Sequence, residues 1–276
     1  MSIKTILVHL ADDPDHMARL GCAIDLAEKF QAHLTGLYIS SPLHMPREVL
    51  GRGASLGYLA TAAESRREHA ERVEKEFREQ CGRAGVPLEW RYDAGDHTDV
   101  LAAHSIYADL TIVSRLDRDK AEYRLALPFP DELPLLAACP VLMLPPGYNG
   151  APFGRRIIVG WKLTREAGRT ARAAVPFMTG AESVIVLVAC RFDETRELPG
   201  AEIANTLDRY GVKVEINHEN DERDEAGEVL LAKAAELDCD MLVMGAFGHS
   251  RLKELIFGGT TKHVMGHATI PVLMAH

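Results

Sequence analysis

The sequence predicts an α/β protein built from two tandem, open, five-stranded parallel-sheet units with helices on both faces. Three observations carry this. Short apolar runs rich in Val, Ile and Leu alternate with helical patterns along the whole chain, the signature of a parallel sheet wrapped on both sides. A Pro/Gly-rich stretch from Pro145 to Pro152 interrupts the alternation, which then restarts. The two copies align without gaps near their ends, since Pro140 and Pro271 lie 131 positions apart, as do Val113 and Met244. The units expected are therefore residues 1–146 and 153–276, each of ordinary domain size.

Taken in order, Thr5 to Leu10 is a β-rich run that breaks at Ala11-Asp12-Asp13-Pro14, and so reads as a central strand. Met17, Leu20, Ala23, Ile24 and Ala27 then share one face of a helix that runs through Phe30. His33 to Ile39 is the second strand, and Ser40 to Leu59, rich in Pro and Gly, reads as a long loop. A helix over 61–83 buries Ala70, Val73, Phe77 and Cys81 and turns alternating Glu and Arg to water. Leu88 to Tyr92, Leu110 to Val113 and Pro140 to Leu144 complete the first set of strands, with a helix over 100–107.

In the second copy Arg156 to Trp161, Ser183 to Val188, Val212 to Ile216, Asp240 to Met244 and Pro271 to Met274 repeat those five strands in turn.

Composition narrows the function. A net charge of −9 argues against nucleic acid as a partner, since a nucleic-acid binder normally shows a basic stripe. The longest apolar run, Val184 to Cys190, falls far short of the ~20 residues a membrane span requires, and no signal-peptide pattern is seen, so a soluble cytoplasmic protein is expected. Five cysteines, Cys22, Cys81, Cys139, Cys190 and Cys239, lack C-x-x-C spacing and read as reduced, packed thiols.

Chemistry concentrates near the C-terminus. The apolar run to Met244 opens into Gly245-Ala246-Phe247-Gly248, and Gly258-Gly259-Thr260-Thr261 precedes a second helical pattern. Two glycine-rich turns would then flank a short helix over 249–257, and their backbone N–H groups form an anion cradle, with phosphate the expected guest. The alternative is purely structural: a tight turn at Gly245 and Gly248, a helix C-cap at Gly258, and N-caps at Thr260 and Thr261. Opposite Gly245, Gly248, Gly258 and Gly259 the first copy has Ser114, Asp117, Leu127 and Pro128, so the cradle is confined to the second copy.

The tandem pattern, Gly245-x2-Gly248-x9-Gly258 and the closing Pro271-Val272-Leu273-Met274 together resemble the universal stress protein family in its two-domain form. That resemblance covers essentially the whole chain. It implies a strand order 3-2-1-4-5 in each unit and a ligand crevice where the order reverses, between strands one and four. It further implies an adenine nucleotide, ATP, ADP or AMP, with phosphate contacts at Gly245, Gly248, Gly258, Gly259 and Thr260. Association through strand five follows too, either between the two halves of one chain or in a homodimer.

The chain departs from the family pattern in three places. Gly259, not Ser or Thr, follows Gly258. Trp161-Lys162 stands where relatives carry Asp or Asn after strand one, whereas the first unit keeps Asp12 and Asp13 but has lost the cradle glycines. Lys162 reads either as an ammonium that pairs with an anionic ligand or as a surface lysine, and Trp161 either as packing or as a stacking platform.

Catalytic patterns are poor. Gly248-His249-Ser250-Arg251-Leu252 has Leu where a nucleophile elbow requires Gly, no Walker loop occurs, and His263 and His267 form an i, i+4 pair without a third metal ligand. The expected function is a non-catalytic stress-response factor that binds a nucleotide or other anion and needs no metal. The alternatives are a structural or interaction protein of the same fold, or a slow nucleotide hydrolase.

Overall fold

The computed structural model describes residues 2–11, 13–40, 54–115, 132–190, 199–220, 225–246 and 259–276. The first half holds strands β1 (Thr5–Leu10), β2 (His33–Ser40), β3 (Leu88–Ala94), β4 (Leu110–Ser114) and β5 (Val141–Leu144), with helices α1 (His16–Phe30), α2 (Ala54–Ala84), α3 (His97–Ser105) and α4 (Leu133–Leu136). The second half holds β6 (Arg156–Gly160), β7 (Ser183–Cys190), β8 (Glu215–Asn220), β9 (Met241–Gly245) and β10 (Val272–Ala275). Its helices are α5 (Arg165–Ala173), α6 (Val175–Met178), α7 (Ala201–Asp208), α8 (Ala226–Glu236) and α9 (Gly259–His267).

All ten strands join one sheet in the order β3-β2-β1-β4-β5-β10-β9-β6-β7-β8. Each half therefore has the order 3-2-1-4-5, parallel throughout, and the halves meet where β5 pairs antiparallel with β10. Leu142 lies opposite Leu273, Met143 opposite Val272 and Val141 opposite Met274. With a repeat of 131, Leu142 and Leu273 are the same position in the two copies, so a local twofold relation runs through this pair. Joining the fifth strands in this way covers the fifth-strand edge of each half and leaves β3 and β8 as the edges of the sheet.

Apolar side chains cover both faces of the sheet. One layer brings Val8, Leu20, Phe77, Val159, Phe177 and Val186 together, and Phe30 of α1 meets Phe177 of α6 edge-to-face across the two halves, ring centroids 5.3 Å apart. The other layer contains Leu101, Val113, Leu187, Leu230 and Val264. At the start of each half an aspartate pins the first strand: Asp109 accepts from the N–H groups of Lys4 and Thr5, and Asp240 from those of Gly154, Arg155 and Arg156.

Several expectations change. Helix α2 begins at Ala54 rather than 61, so the last part of the expected loop is helical; residues 41–53 lie outside the described residues. Its Ala70, Val73, Phe77 and Cys81 are buried as the spacing requires. Met17, read as part of the buried face of α1, is 41% exposed, while Arg19 is buried at 1% because Asp13 pairs with it there. The strand expected at Val212–Ile216 starts at Glu215, opposite Ile185. Val212 instead closes the turn after α7, where its N–H reaches the Leu207 carbonyl at 3.1 Å and Gly211 takes φ +78°.

Candidate functional site

In each half the strand order reverses between the first and fourth strands, and the carboxyl ends of those strands border the crevice of such a sheet. In the first half these are β1 and β4, in the second β6 and β9, where Val8 pairs with Ile112 and Gly160 with Met244. The paired registers make His9 and Gly160 the same position, and likewise Leu10 and Trp161.

The end of β1 is filled by protein side chains. His9 Nε2 lies 3.0 Å from His97 Nδ1, with the rings edge-to-face, and both residues are buried. Burial, then the Arg19 charge, then His97 hold the His9 imidazole well below its ordinary value of 6.5; burial lowers His97 as well, against the pull of Asp96 and Asp13. The pair is therefore neutral near pH 7, one ring donating to the other. Arg19 donates from Nε to the His9 carbonyl at 2.5 Å and from Nη2 to Asp13 Oδ2 at 2.6 Å. Asp13 also accepts from the Asp15 N–H at 3.0 Å.

The carboxylate that the resemblance would offer to a nucleoside is thus spent on a buried arginine; Asp12 lies outside the described residues. No spacing pattern marks this network, because a histidine in an apolar strand and an arginine in a helix stand as isolated polar residues.

The end of β6 is built differently. Gly160 has no side chain to place against α8, and an added Cβ would come within 2.9 Å of the Leu230 side chain. Trp161 is partly buried and packs on the core layer, in keeping with the packing reading, and Lys162 after it is exposed. Thr164 caps α5, its hydroxyl accepting from the Ala167 N–H at 3.3 Å.

Gly245 ends β9 directly beneath the first turn of that helix: a Cβ here would lie 2.5 Å from Ala167 N and 2.8 Å from the Glu166 carbonyl carbon. Its φ is not in the left-handed region, so the glycine is required by this close approach of helix to strand rather than by a turn. Ala246 donates to the Ala275 carbonyl at 2.9 Å, and the terminal His276 donates back to the Ala246 carbonyl at 3.1 Å.

Gly248 and Gly258, the other two cradle glycines, lie outside the described residues. Gly259 is exposed and opens α9, which places Thr260 and Thr261 inside the first turn rather than at the cap that their sequence position suggested. Thr261 is buried and Thr260 partly so. The backbone of Thr260 lies against Gly227 of α8, where a Cβ would meet the Thr260 carbonyl oxygen at 3.0 Å. The structure thus brings Lys162 and Gly245 to neighbouring strand ends, with Gly259 and Thr260 opening the helix that follows β9.

Beside this crevice an open groove of about 500 Å³ runs along the outer face of α5, between Trp161 and Leu163 at one end and Arg172 at the other.

The remaining candidates have structural settings. His263 and His267 stack at 4.4 Å, and His267 Nδ1 donates to the His263 carbonyl at 2.9 Å. No group of three His, Cys, Asp or Glu among the described residues is placed to hold a metal ion. Cys22, Cys81, Cys139 and Cys239 are buried free thiols, and burial pushes Cys22 up to about 12 and Cys81 and Cys139 up to about 11, so none is a thiolate at neutral pH. Among the described residues no helix is long and apolar enough to cross a membrane.

Across the junction of the halves, Arg115, which follows β4, reaches the C-terminal end of α9. It donates to the carbonyls of Met265 at 2.8 Å, Ala268 at 3.2 Å and Gly266. The cation meets the negative end of the helix dipole.

Comparison with known proteins agrees with this architecture. A universal stress protein from Archaeoglobus fulgidus DSM 4304 superposes with a TM-score of 0.76 at 16% identity, covering 98% of this chain and 97% of its own. A protein from Pseudomonas aeruginosa UCBPP-PA14 described as a candidate universal stress protein gives 0.62 at 21% identity over 99% and 93% of the two chains. A protein of unknown function from Pseudomonas aeruginosa PAO1 gives 0.59 at 20% over 99% and 92%. At such identities the likeness shows the fold. No curated protein sequence matches the chain significantly. The Universal stress protein family profile, however, matches twice, over residues 2–145 and 155–276, and the chain therefore belongs to the universal stress protein family as a tandem of two such units.

Proposed function

We propose that this chain is a stress-response ligand-binding protein whose second unit takes up an adenine nucleotide or another phosphorylated anion at the ends of β6 and β9. The first unit serves as its built-in pairing partner. The observation that carries this reading is the asymmetry of the two crevices. Asp13, Arg19, His9 and His97 fill the first with a closed polar network, whereas the corresponding stretch of the second presents Gly160 and an exposed Lys162. Lys162, Gly245, Gly248, Gly258, Gly259 and Thr260 are the proposed contacts, and backbone N–H groups with one ammonium are sufficient to hold phosphate without a metal.

Calorimetric titration of nucleotide-free protein with ATP, ADP and AMP tests this. Binding to one site per chain that weakens in Lys162→Ala and Thr260→Val supports it, and absence of heat with all three nucleotides refutes it.

One observation favours a second reading, an interaction protein whose crevice has closed. Gly245 sits against the backbone of Glu166 and Ala167, so this glycine has a structural reason to be present without any ligand. On that reading the nucleotides give no heat, and Lys162→Ala changes nothing measurable in the isolated protein.

A further inference from the structure

The outward face of α5 carries an unusual charge arrangement. Arg165, Arg169 and Arg172 stand at i, i+4 and i+7, so their side chains share one stripe about 10 Å long. Gly168 lies between them, and all four residues line the same groove as Trp161 and Leu163. The opposite face of the helix, Glu166, Ala167, Thr170 and Ala171, is buried, and Glu166 is the only carboxylate of α5.

Like charges at these spacings destabilise a helix, and neighbouring acids ordinarily relieve them. Elsewhere in this protein they do: Arg67 pairs with Glu71, Arg78 with Glu74, Arg83 with Glu79 and Arg155 with Glu182. Along α5 no Asp or Glu among the described residues lies within ion-pair distance of the three arginines, and Arg169 reaches only the terminal His276 oxygen, at 3.0 Å. Among the described residues of a chain with 40 acidic and 31 basic residues, no Asp or Glu pairs with these three guanidinium groups.

We propose that this groove binds a linear chain of phosphates, with Arg165, Arg169 and Arg172 each gripping phosphate oxygens and Trp161 with Leu163 forming an apolar end. Guanidinium forks match phosphate oxygens in pairs, and a row of forks fits an anion with charge repeated along its length. The volume suits a small ligand. An acidic protein would bring its charge against the rest of an acidic surface, but a short phosphate chain stays within roughly one Debye length, about 8 Å, of the stripe itself. The groove adjoins the crevice of the preceding section at Trp161 and Leu163, while Gly245 meets α5 on its buried side.

The same phosphate chemistry occurs in inorganic polyphosphate and in the tail of a nucleoside triphosphate, and Trp161 distinguishes them. In a Trp90→Phe protein Trp161 is the sole tryptophan. Tripolyphosphate and ATP are titrated into it at low and at physiological salt, with adenosine and polyglutamate as controls.

The proposal expects saturable binding of tripolyphosphate that weakens with salt, and at least about a tenfold loss in the triple variant Arg165→Gln, Arg169→Gln, Arg172→Gln. Unchanged thermal unfolding of that exposed-face variant shows that the loss is not a folding defect. ATP quenching Trp161 where tripolyphosphate does not identifies a nucleotide as the better guest, while equal affinity without quenching identifies the phosphate chain alone; both support the site. No binding of tripolyphosphate, affinity unchanged in the triple variant, or tighter binding of polyglutamate overturns it. ATP binding that is lost in Thr260→Val but kept in the triple variant removes the groove and leaves the crevice reading standing.

Discussion

Leu142 and Leu273 face each other across the antiparallel β5–β10 junction, and they are the same position of the repeat. Both are fully buried, so the contact that joins the halves is core rather than surface. Truncating either, Leu142→Ala or Leu273→Ala, is expected to cost about 2–5 kcal/mol. Each half holds one tryptophan, Trp90 in β3 and Trp161 after β6. Urea unfolding of Trp90→Phe and Trp161→Phe proteins should therefore give coincident transitions, and the leucine variants should lower both midpoints together.

Arg19 and Asp13 form the second testable pair. Both side chains are almost fully buried, and removing one partner of such a pair strands the other charge. Arg19→Met is expected to destabilise by about 3–5 kcal/mol. Because the pair belongs to the closed crevice, ligand affinity in the folded variant should not change; chemical denaturation and calorimetry on one preparation check both points.

His9 and His97 make stability depend on pH. Both are held below 6.5 in the folded chain, chiefly by burial, whereas in the unfolded chain they titrate near 6.5. As pH falls below about 6.5 the unfolded state takes up protons first, so stability is full above that value and declines beneath it. Urea midpoints between pH 7.5 and 5 should fall more steeply for the wild type than for His97→Gln, which retains only one of the two buried imidazoles.

Glycines offer a contrast between backbone and side-chain crowding. Gly245→Ala drives a methyl against the Ala167 nitrogen at 2.5 Å, which cannot give without moving the helix, and should cost about 1–3 kcal/mol or more. Gly160→Ala meets only the end of the Leu230 side chain, which can rotate, and should cost less. Thermal unfolding of the two variants side by side measures the difference.

Much of this architecture is visible in the residues. Val, Ile and Leu runs at the strands, the face Ala70, Val73, Phe77 and Cys81 of α2, and the 131-residue repeat led to the α/β class and the two units, since burial periodicity and self-similarity are one-dimensional signals, whereas the strand order and the pairing of halves came from the family resemblance. The slip from Val212 to Glu215 at β8 was invisible because Val212 is apolar whether it closes a turn or enters a strand.

The site was less legible. The packing of Gly245 against a helix 78 positions earlier, at Ala167, and the burial of Arg19 on Asp13 became visible only in the structure. Such roles depend on contacts distant in sequence, which spacing does not encode. The arginine stripe lay in plain view at i, i+4 and i+7, but only the structure shows that no Asp or Glu among the described residues pairs with it.

The central claim is that one half of this tandem protein binds a phosphorylated ligand and the other does not. The most direct measurement is the calorimetric stoichiometry of ATP, ADP and AMP on nucleotide-free protein, repeated in Lys162→Ala with Thr260→Val and, separately, in Asp13→Ala. One crevice site per chain, lost in the first variant and retained in the second, is the result expected. No binding, or binding that disappears with Asp13 and survives the second-unit changes, would contradict the account.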